Sequence, residues 1–200
     1  MSDPSPVAVP DDAELALAQR RGLPSEWTFL TAQHPRESWG RPGHVSGMAQ
    51  FWLERHAEFR QFAPALLEAS EALIAGKVDP ARFTAWFGPR LSFFLQSLEG
   101  HHQVEDQHYF PAFSRMEPRL ARGFGVLDRD HVVLDEHIQA LARAGEGLIR
   151  SLRDGVPVPD NAKAAADVLR AFNPALIRHL DDEEDLVIPL ILVHSEADPD

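Results

Sequence analysis

The chain has 200 residues, of which 44% are hydrophobic and 25% charged, and its formal net charge is −12. This length and composition fit one globular domain with a sizeable core, and the acidic charge argues against nucleic acid or an anionic membrane as a partner. The absence of cysteine excludes disulfides, thiolate metal ligands and cysteine nucleophiles, so any metal must be held by His, Asp, Glu and water. There is no apolar run of membrane-spanning length and no secretory signal pattern, which leads us to expect a cytoplasmic protein.

Residues 1–43 are expected to form an N-terminal extension ahead of the main domain. Residues 1–10 are rich in proline and are expected to be disordered, and short helices are predicted over 11–21 and 24–33. The prolines and glycines within 34–43 indicate a loop.

Four long amphipathic helices are predicted from apolar residues that recur every three or four positions. Pro111 is expected to bend the second of them near its end. Long helices joined by short loops favour an all-α, up-down-up-down four-helix bundle over residues 44–193, followed by an acidic tail at 194–200. The expected helices cover about 44–75, 81–116, 127–153 and 160–193.

The apolar stripes of the second and fourth predicted helices are each interrupted by a His-x-x-x-Glu pair. In the second helix the stripe runs through Leu98 and continues with His101 and Glu105, and in the fourth helix the pair is His179 and Glu183. The members of a pair lie about one helical turn apart, so they can bind a common centre. A core-facing position holds an ionisable group at a large cost unless that group is paired or bound to a metal.

A single histidine interrupts the stripe in each of the other two helices, His56 in the first and His131 in the third. If the four stripes face inward, they bring four imidazoles and two carboxylates together. That set is too large for one tetrahedral zinc, and it suits two octahedral metals that share two bridging carboxylates and an oxo or hydroxo bridge. Two iron ions are favoured, because imidazole and carboxylate suit iron and because iron permits redox chemistry. The predicted ligands are His56, His101, Glu105, His131, His179 and Glu183.

Plainer interpretations exist for each of these residues taken alone. A single histidine on an apolar face is more often a hydrogen-bonded core residue, and a single glutamate can be a solvated edge residue. The joint pattern, with one set in every helix of a bundle, favours metal binding. His102 lies about 100° around the helix from His101, and it stays open as an additional ligand, a partner of a ligand or a flanking residue.

Other residues near these positions have weaker roles. Asp106 and His108 are expected to contact the ligands or to flank them rather than to bind metal, and Tyr109 is a candidate hydrogen-bond donor to one of the ligands. The tryptophans and phenylalanines of the first two helices are interpreted as core packing. The remaining histidines are interpreted as ordinary: His34, His44, His137 and His194.

Three segments, HHQVEDQHYFP, DRDH and HLDDEEDLVIP, resemble the signature segments of the hemerythrin-like, HHE cation-binding domains. The resemblance covers roughly residues 44–192 and follows the order H…HxxxE…H…HxxxE. It implies a four-helix bundle around a non-haem diiron centre, with the six predicted ligands in the family's ligand positions.

Two departures distinguish the chain from the oxygen-carrying hemerythrins of invertebrates. Those proteins have a further histidine one turn after the third-helix histidine, where this chain has Asp135, and their last carboxylate falls at the position of Glu184. We expect Glu183 to be the ligand, with Glu184 as the alternative. The departures favour the HHE branch, whose members are associated with oxygen and iron sensing, iron handling, and responses to peroxide or nitric oxide.

Three functional hypotheses follow. The leading one is a diiron protein that binds dioxygen or a related small oxidant for sensing, storage or iron handling. The second is a diiron enzyme that consumes peroxide, superoxide or nitric oxide with electrons from a separate reductase, since the chain shows no flavin, haem or thiol motif. The third is a metal-free helical interaction module, which metal analysis would distinguish. Whether the protein is an enzyme, and its oligomeric state, stay open.

Overall fold

The computed structural model describes residues 13–41, 43–45, 47–156 and 159–197. No strand occurs among these residues, and the predicted all-α class is confirmed for them. None of the helices within these ranges is both long enough and apolar enough to cross a membrane. In chain order the elements are a 3-10 turn (Phe29–Ala32), α1 (Arg36–Trp39), α2 (Gly47–Ile74), α3 (Pro80–Val104), a π-helical turn (Glu105–Tyr109), α4 (Phe110–Met116), a 3-10 turn (Pro118–Leu120), α5 (Ala121–Arg153) and α6 (Pro159–Ala197).

The N-terminal extension differs from its predicted local structure. Residues 13–21, predicted as helix, form turns, and the helix predicted over 24–33 is reduced to the 3-10 turn at its end. The four-residue α1 falls inside the predicted loop. Segments this short gain too few hydrogen bonds to offset helix nucleation, so burial holds them instead. Four buried apolar residues of the extension share an apolar cluster with α6: Leu15, Trp27, Leu30 and Trp39. The prediction for residues 1–10 lies outside the described residues.

The second predicted helix contains a change of hydrogen-bond register just before Pro111. Proline has no N–H to donate to the carbonyl four residues earlier. The residue before this proline, Phe110, donates its N–H to the carbonyl of Glu105, five residues back. The residues from Glu105 to Tyr109 form the π-helical turn. Such widened turns are frequent at functional sites, and this one begins at a predicted metal ligand.

Two helix ends also differ from the prediction. α5 begins at Ala121 rather than near residue 127, so the connector before it shortens to the 3-10 turn at Pro118–Leu120. α6 continues through Pro189 to Ala197, so the expected tail begins within this helix. The last three residues of that tail lie outside the described part of the chain.

Two apolar clusters lie on either side of a layer of ionisable side chains. One cluster includes Phe59 and Leu98, and the other includes Trp52 and Phe113. α2 packs against α3 and α6, and α5 packs against the same two helices. The ionisable layer is therefore enclosed by the long helices.

Candidate metal centre

The six side chains predicted as metal ligands meet in the layer between the two apolar clusters. Removing so many ionisable groups from water is costly unless each is paired or bound. The side chain of His101 is 13% exposed. The other five residues are 5% exposed or less: His56, Glu105, His131, His179 and Glu183.

The first group of candidate ligands, which we call the two-histidine group, consists of His56, His101, Glu105 and Glu183. Each offers one nitrogen or oxygen atom, and these atoms lie within 4.8 Å of one another. His101 Nε2 is 2.9 Å from Glu105 Oε1, and His56 Nε2 is 3.2 Å from Glu183 Oε1. The two imidazole Nε2 atoms are 3.2 Å apart. Four donor atoms thus converge on one point.

The second group, which we call the three-histidine group, consists of His102, His131 and His179 within the same 4.8 Å limit. His131 Nε2 and His179 Nε2 are 3.2 Å apart. The second oxygens of the two carboxylates face this group: Glu105 Oε2 is 3.5 Å from His131 Nε2, and Glu183 Oε2 is 3.2 Å from His179 Nε2. Each carboxylate therefore presents one oxygen to each group, as a bridge between two metals requires.

Several buried polar atoms of this centre make no hydrogen bond with a described residue. They are both oxygens of Glu105, Oε2 of Glu183 and Nε2 of His102. Ring nitrogens lie close to the carboxylate oxygens but without hydrogen-bond geometry. Leaving buried polar atoms unsatisfied is costly, and bound cations would satisfy these. Imidazole and carboxylate donors in two adjoining groups fit a pair of iron ions.

The pKa values of several side chains at the centre are strongly shifted. Burial and the nearby Glu183 raise the pKa of Glu105 well above its ordinary value, whereas adjacent imidazoles outweigh burial and hold the pKa of Glu183 well below its own. Burial lowers the pKa of His101 to about 3. The hydrogen bond with Asp130 and the adjacent negative charge of Glu183 outweigh burial and raise the pKa of His179 to about 9. Metal binding would displace the protons from those candidate ligands that hold them in the metal-free protein.

Three imidazoles are held by carboxylates on the side away from the centre. A carboxylate accepts, so each Nδ1 donates its proton, which leaves each Nε2 as the nitrogen that can bind a cation at the centre. The pairs are His56 Nδ1 with Glu184 Oε1 at 3.0 Å, His131 Nδ1 with Asp106 Oδ1 at 2.7 Å, and His179 Nδ1 with Asp130 Oδ2 at 3.2 Å.

Two arginines of the N-terminal extension form ion pairs with two of these carboxylates, Asp130 and Glu184. The Arg20 side chain is 2% exposed and donates to Asp130 Oδ1 at 2.7 Å and to Asp182 Oδ2 at 2.7 Å. Arg36 Nη1 donates to Glu184 Oε2 at 2.9 Å. The extension is thus tied to the residues that orient the candidate ligands.

The structure brings all six predicted ligands into the two groups, and His102 joins them. Their binding of metal stays a prediction. Glu184, the alternative to Glu183, lies outside both groups and accepts a hydrogen bond from His56. Glu183 lies one turn after His179 on the same face of α6, which is why its carboxylate reaches the centre and that of its neighbour does not.

The residues predicted to have weaker roles lie outside the two groups of candidate ligands. Tyr109 packs edge-on against Trp52 with ring centroids 5.0 Å apart, and it is Trp52 whose Nε1 donates to Glu183 Oε1. His108 is exposed. The four histidines interpreted as ordinary lie outside both groups: His34, His44, His137 and His194.

Sequence reasoning missed three residues that support the centre: Arg20, Trp52 and Asp130. Trp52 was interpreted as core packing, although its indole N–H bonds to a candidate ligand. Asp130 had one available signal, since it is adjacent in sequence to the predicted ligand His131. Asp106, interpreted from the sequence as a partner of a ligand or a flanking residue, bonds to His131. No local pattern marked Arg20, because its partners are distant in the chain.

A surface cavity of about 560 Å³ between α2 and α3 reaches the two-histidine group. His101 and Glu105 line it, together with Arg55. We call it the apolar cavity, because most of its other lining residues are aromatic or aliphatic: Phe51, Trp52, Phe93, Val104 and Tyr109. It offers a small uncharged molecule a path to the two-histidine group.

Comparison with protein families gives the same identification as the geometry. A model of the hemerythrin HHE cation binding domain matches residues 47–191, which include every candidate ligand. Comparisons with curated proteins and with solved structures gave no match. The family match covers most of the chain and confirms the resemblance seen in its signature segments. The chain belongs to the hemerythrin HHE cation-binding domain family.

Proposed function

We propose that this protein is a non-haem diiron protein that binds dioxygen or a related small oxidant. The observation that carries the proposal is the placement of Glu105 and Glu183, each with one oxygen toward each histidine group. A buried pair of bridging carboxylates flanked by imidazoles suits two metal ions, and iron is the metal of this donor set that permits redox chemistry. When bound, a ferrous pair would supply electrons to a small oxidant.

The two groups divide the candidate ligands unequally. His56 and His101 would hold one iron, and His102, His131 and His179 would hold the other, with both glutamates shared. The iron with two imidazoles would have one fewer protein ligand. The apolar cavity meets the centre on that side, because His101 lines it. This coincidence supports oxidant binding at the two-histidine group.

The protein's own residues would position and protect this pair. Trp52 bonds to Glu183, and three outer carboxylates hold three of the imidazoles through Nδ1. The aromatic wall of the apolar cavity limits water near His101 and favours small uncharged molecules. Buried, hydrogen-bonded ligands of this kind hold a metal more tightly than exposed ones.

We propose an up-down-up-down four-helix bundle as the topology that holds the centre. Support comes from the apolar cluster that contains Phe59, Leu98, Leu134 and Leu176. In α2 and α5 the cluster residue follows the candidate histidine, and in α3 and α6 it precedes it. The chain direction therefore alternates from each long helix to the next.

A second candidate function is turnover of peroxide, superoxide or nitric oxide with electrons from a separate reductase. The contact between Trp52 and Tyr109 favours it, because Trp52 bonds to Glu183 and the half-buried Tyr109 lines the surface cavity. Two oxidisable side chains thus link the centre to the surface. Steady-state consumption of peroxide or nitric oxide with a reductant would favour this function over stoichiometric binding.

Metal analysis tests the diiron proposal. After anaerobic reconstitution with ferrous iron and gel filtration, we expect two irons per chain, and after exposure to air the near-ultraviolet absorption of a bridged diferric centre. His101→Ala should lose that absorption, whereas His108→Ala should keep it, because His108 is exposed and lies outside both groups. Retention of well under two irons per wild-type chain would contradict the proposal and favour a metal-free module.

A further inference from the structure

A second surface cavity, of about 410 Å³, lies between α3 and α5 and reaches the three-histidine group. Two buried histidines, His102 and His131, form part of its lining, and Val132 is also there. We call it the acidic cavity, because four carboxylates line it: Glu99, Asp106, Asp128 and Asp135. Glu99 and Asp128 are exposed to solvent, so the carboxylates extend from the surface to the buried histidines.

The negative charge of this cavity is not balanced by a cationic side chain among its described lining residues. Among the residues that the structure describes, Glu99 and Asp135 accept hydrogen bonds only from the neutral amides of Gln103, at 3.5 Å, and Gln139, at 2.7 Å. Other acids near the centre are different, because each has an arginine partner: Asp130, Asp182, Glu184 and Asp185. The unbalanced charge is therefore a property of this cavity and not of every acid around the site.

His102 provides an independent indication of a ligand. Its side chain is buried, it lines the acidic cavity, and its Nε2 makes no hydrogen bond with any described residue. One ring nitrogen of His102 lies within 4.8 Å of a ring nitrogen of His131 and of His179. A buried imidazole nitrogen without a partner, beside carboxylates without cations, is complementary to a metal cation.

The apolar cavity on the other face of α3 has the opposite character. Its walls are mostly aromatic and aliphatic, and the charged residue at its surface is Arg55. Arg55 is itself paired with Glu58, so no unpaired carboxylate among the lining residues precedes the buried Glu105. A divalent cation entering there would therefore lose hydration before it gained a carboxylate ligand. The two cavities thus suit two different solutes that must reach one buried centre.

We propose that the acidic cavity is the uptake site for the divalent cation that loads the centre, and this inference rests on the proposed diiron function. Glu99, Asp128 and Asp135 would collect the hydrated cation, since a cleft lined by one sign of charge raises the local concentration of counter-ions and their association rate by roughly 10- to 1,000-fold. Carboxylates bind such a cation through oxygen and release it readily. His102 and His131 would then take it into the three-histidine group.

The test follows the rate at which metal-free protein takes up Co²⁺, whose visible absorption bands appear on coordination by the protein. The test variant is Glu99→Gln/Asp128→Asn/Asp135→Asn, with Asp106 left intact because it holds His131. The control variant removes the same charge from three exposed acids outside the cavity, Glu26→Gln/Glu68→Gln/Asp160→Asn. A second pair places a lysine at the cavity, Val132→Lys, or beside it, Val133→Lys; both valines are exposed.

We expect the triple variant and Val132→Lys to take up Co²⁺ about 10-fold more slowly than their controls at low ionic strength. The difference should shrink near ~1 M salt, where screening acts over about 3 Å. The final Co²⁺ content per chain should stay that of the wild type. Uptake at the rate of the controls would overturn the proposal, and so would a lower final content, because the carboxylates would then belong to the final site.

Failure of this inference is separable from failure of the diiron proposal. If the wild type binds two Fe²⁺ per chain but the triple variant loads as fast as its control, only the uptake route is wrong. If the wild type binds fewer than two Fe²⁺, the diiron proposal fails on stoichiometry, and the Co²⁺ rates still decide whether cations enter through the acidic cavity.

Discussion

His102 stacks face to face on His131, with ring centroids 4.1 Å apart and ring planes 13° from parallel. This contact places His102 with the three-histidine group, although its neighbour His101 belongs to the two-histidine group. Adjacent residues of one helix thus serve opposite sides of the centre. The third-helix position that carries a further histidine in the invertebrate oxygen carriers is Asp135 here, and it lines the acidic cavity instead.

Replacement of His102 by alanine should weaken one iron site selectively. The loss of a ligand should lower the affinity for one of the two irons by at least the ~10- to 100-fold that loss of an outer hydrogen-bond partner costs. We expect iron content after gel filtration to fall from two per chain toward one, with His108→Ala as the matched control. Two irons held with wild-type affinity would exclude His102 as a ligand.

The six predicted ligands were accessible to sequence reasoning because each interrupts an apolar stripe with helical period, and that period also favoured Glu183 over Glu184. His102 could not be assigned in this way, since it lies off the stripe of its own helix. It reaches the centre because α3 lies beside both groups, which is a property of helix packing. Helical periodicity identifies the inward face of one helix, whereas the two groups of candidate ligands together are wider than that face.

The supporting residues depend on contacts between distant parts of the chain. Arg20 bonds to Asp130 and Asp182, and Trp52 bonds to Glu183. No spacing rule links residues that far apart in sequence. The N-terminal extension was mispredicted for a related reason, because its turns are held by burial against α6 and not by helix propensity.

Removal of the buried Arg20 charge should destabilise the metal-free protein. Arg20→Met would remove the guanidinium from Asp130 and Asp182 and leave Asp130 with His179 and Asp182 with Arg178. Breaking a buried ion pair by removing one partner costs up to about 3–5 kcal/mol. Urea denaturation should show that decrease in the free energy of unfolding. Arg21→Met is the matched control, because Arg21 is exposed and contributes its backbone carbonyl to Arg178. Equal stabilities of the two variants would show that the buried ion pairs contribute little.

The indole N–H of Trp52 should matter for the centre independently of its packing. Trp52→Phe keeps an aromatic ring near Tyr109 but removes the donor to Glu183 Oε1. We expect iron affinity to fall ~10- to 100-fold, as for loss of other outer hydrogen bonds to ligands, with a shift of the near-ultraviolet absorption. Trp27→Phe is the control, since Trp27 is buried in the apolar cluster beyond the centre. An unchanged spectrum and an unchanged iron affinity would show that Trp52 contributes only core packing.

A bulky residue in the apolar cavity should slow the reaction with oxidant without slowing metal uptake. Ser97 lines this cavity and lies one turn before His101 on α3, so Ser97→Phe would fill the space in front of His101. The control is Ser92→Phe, on the same helix but exposed and outside the cavity. Stopped-flow mixing of the ferrous protein with oxygenated buffer should show several-fold slower oxidation for Ser97→Phe than for the control.

Because cations are proposed to enter between α3 and α5, Co²⁺ uptake by the two variants should be equal. Slower uptake together with slower oxidation would mean that one cavity admits both solutes, which would contradict the division of roles between the two faces of α3.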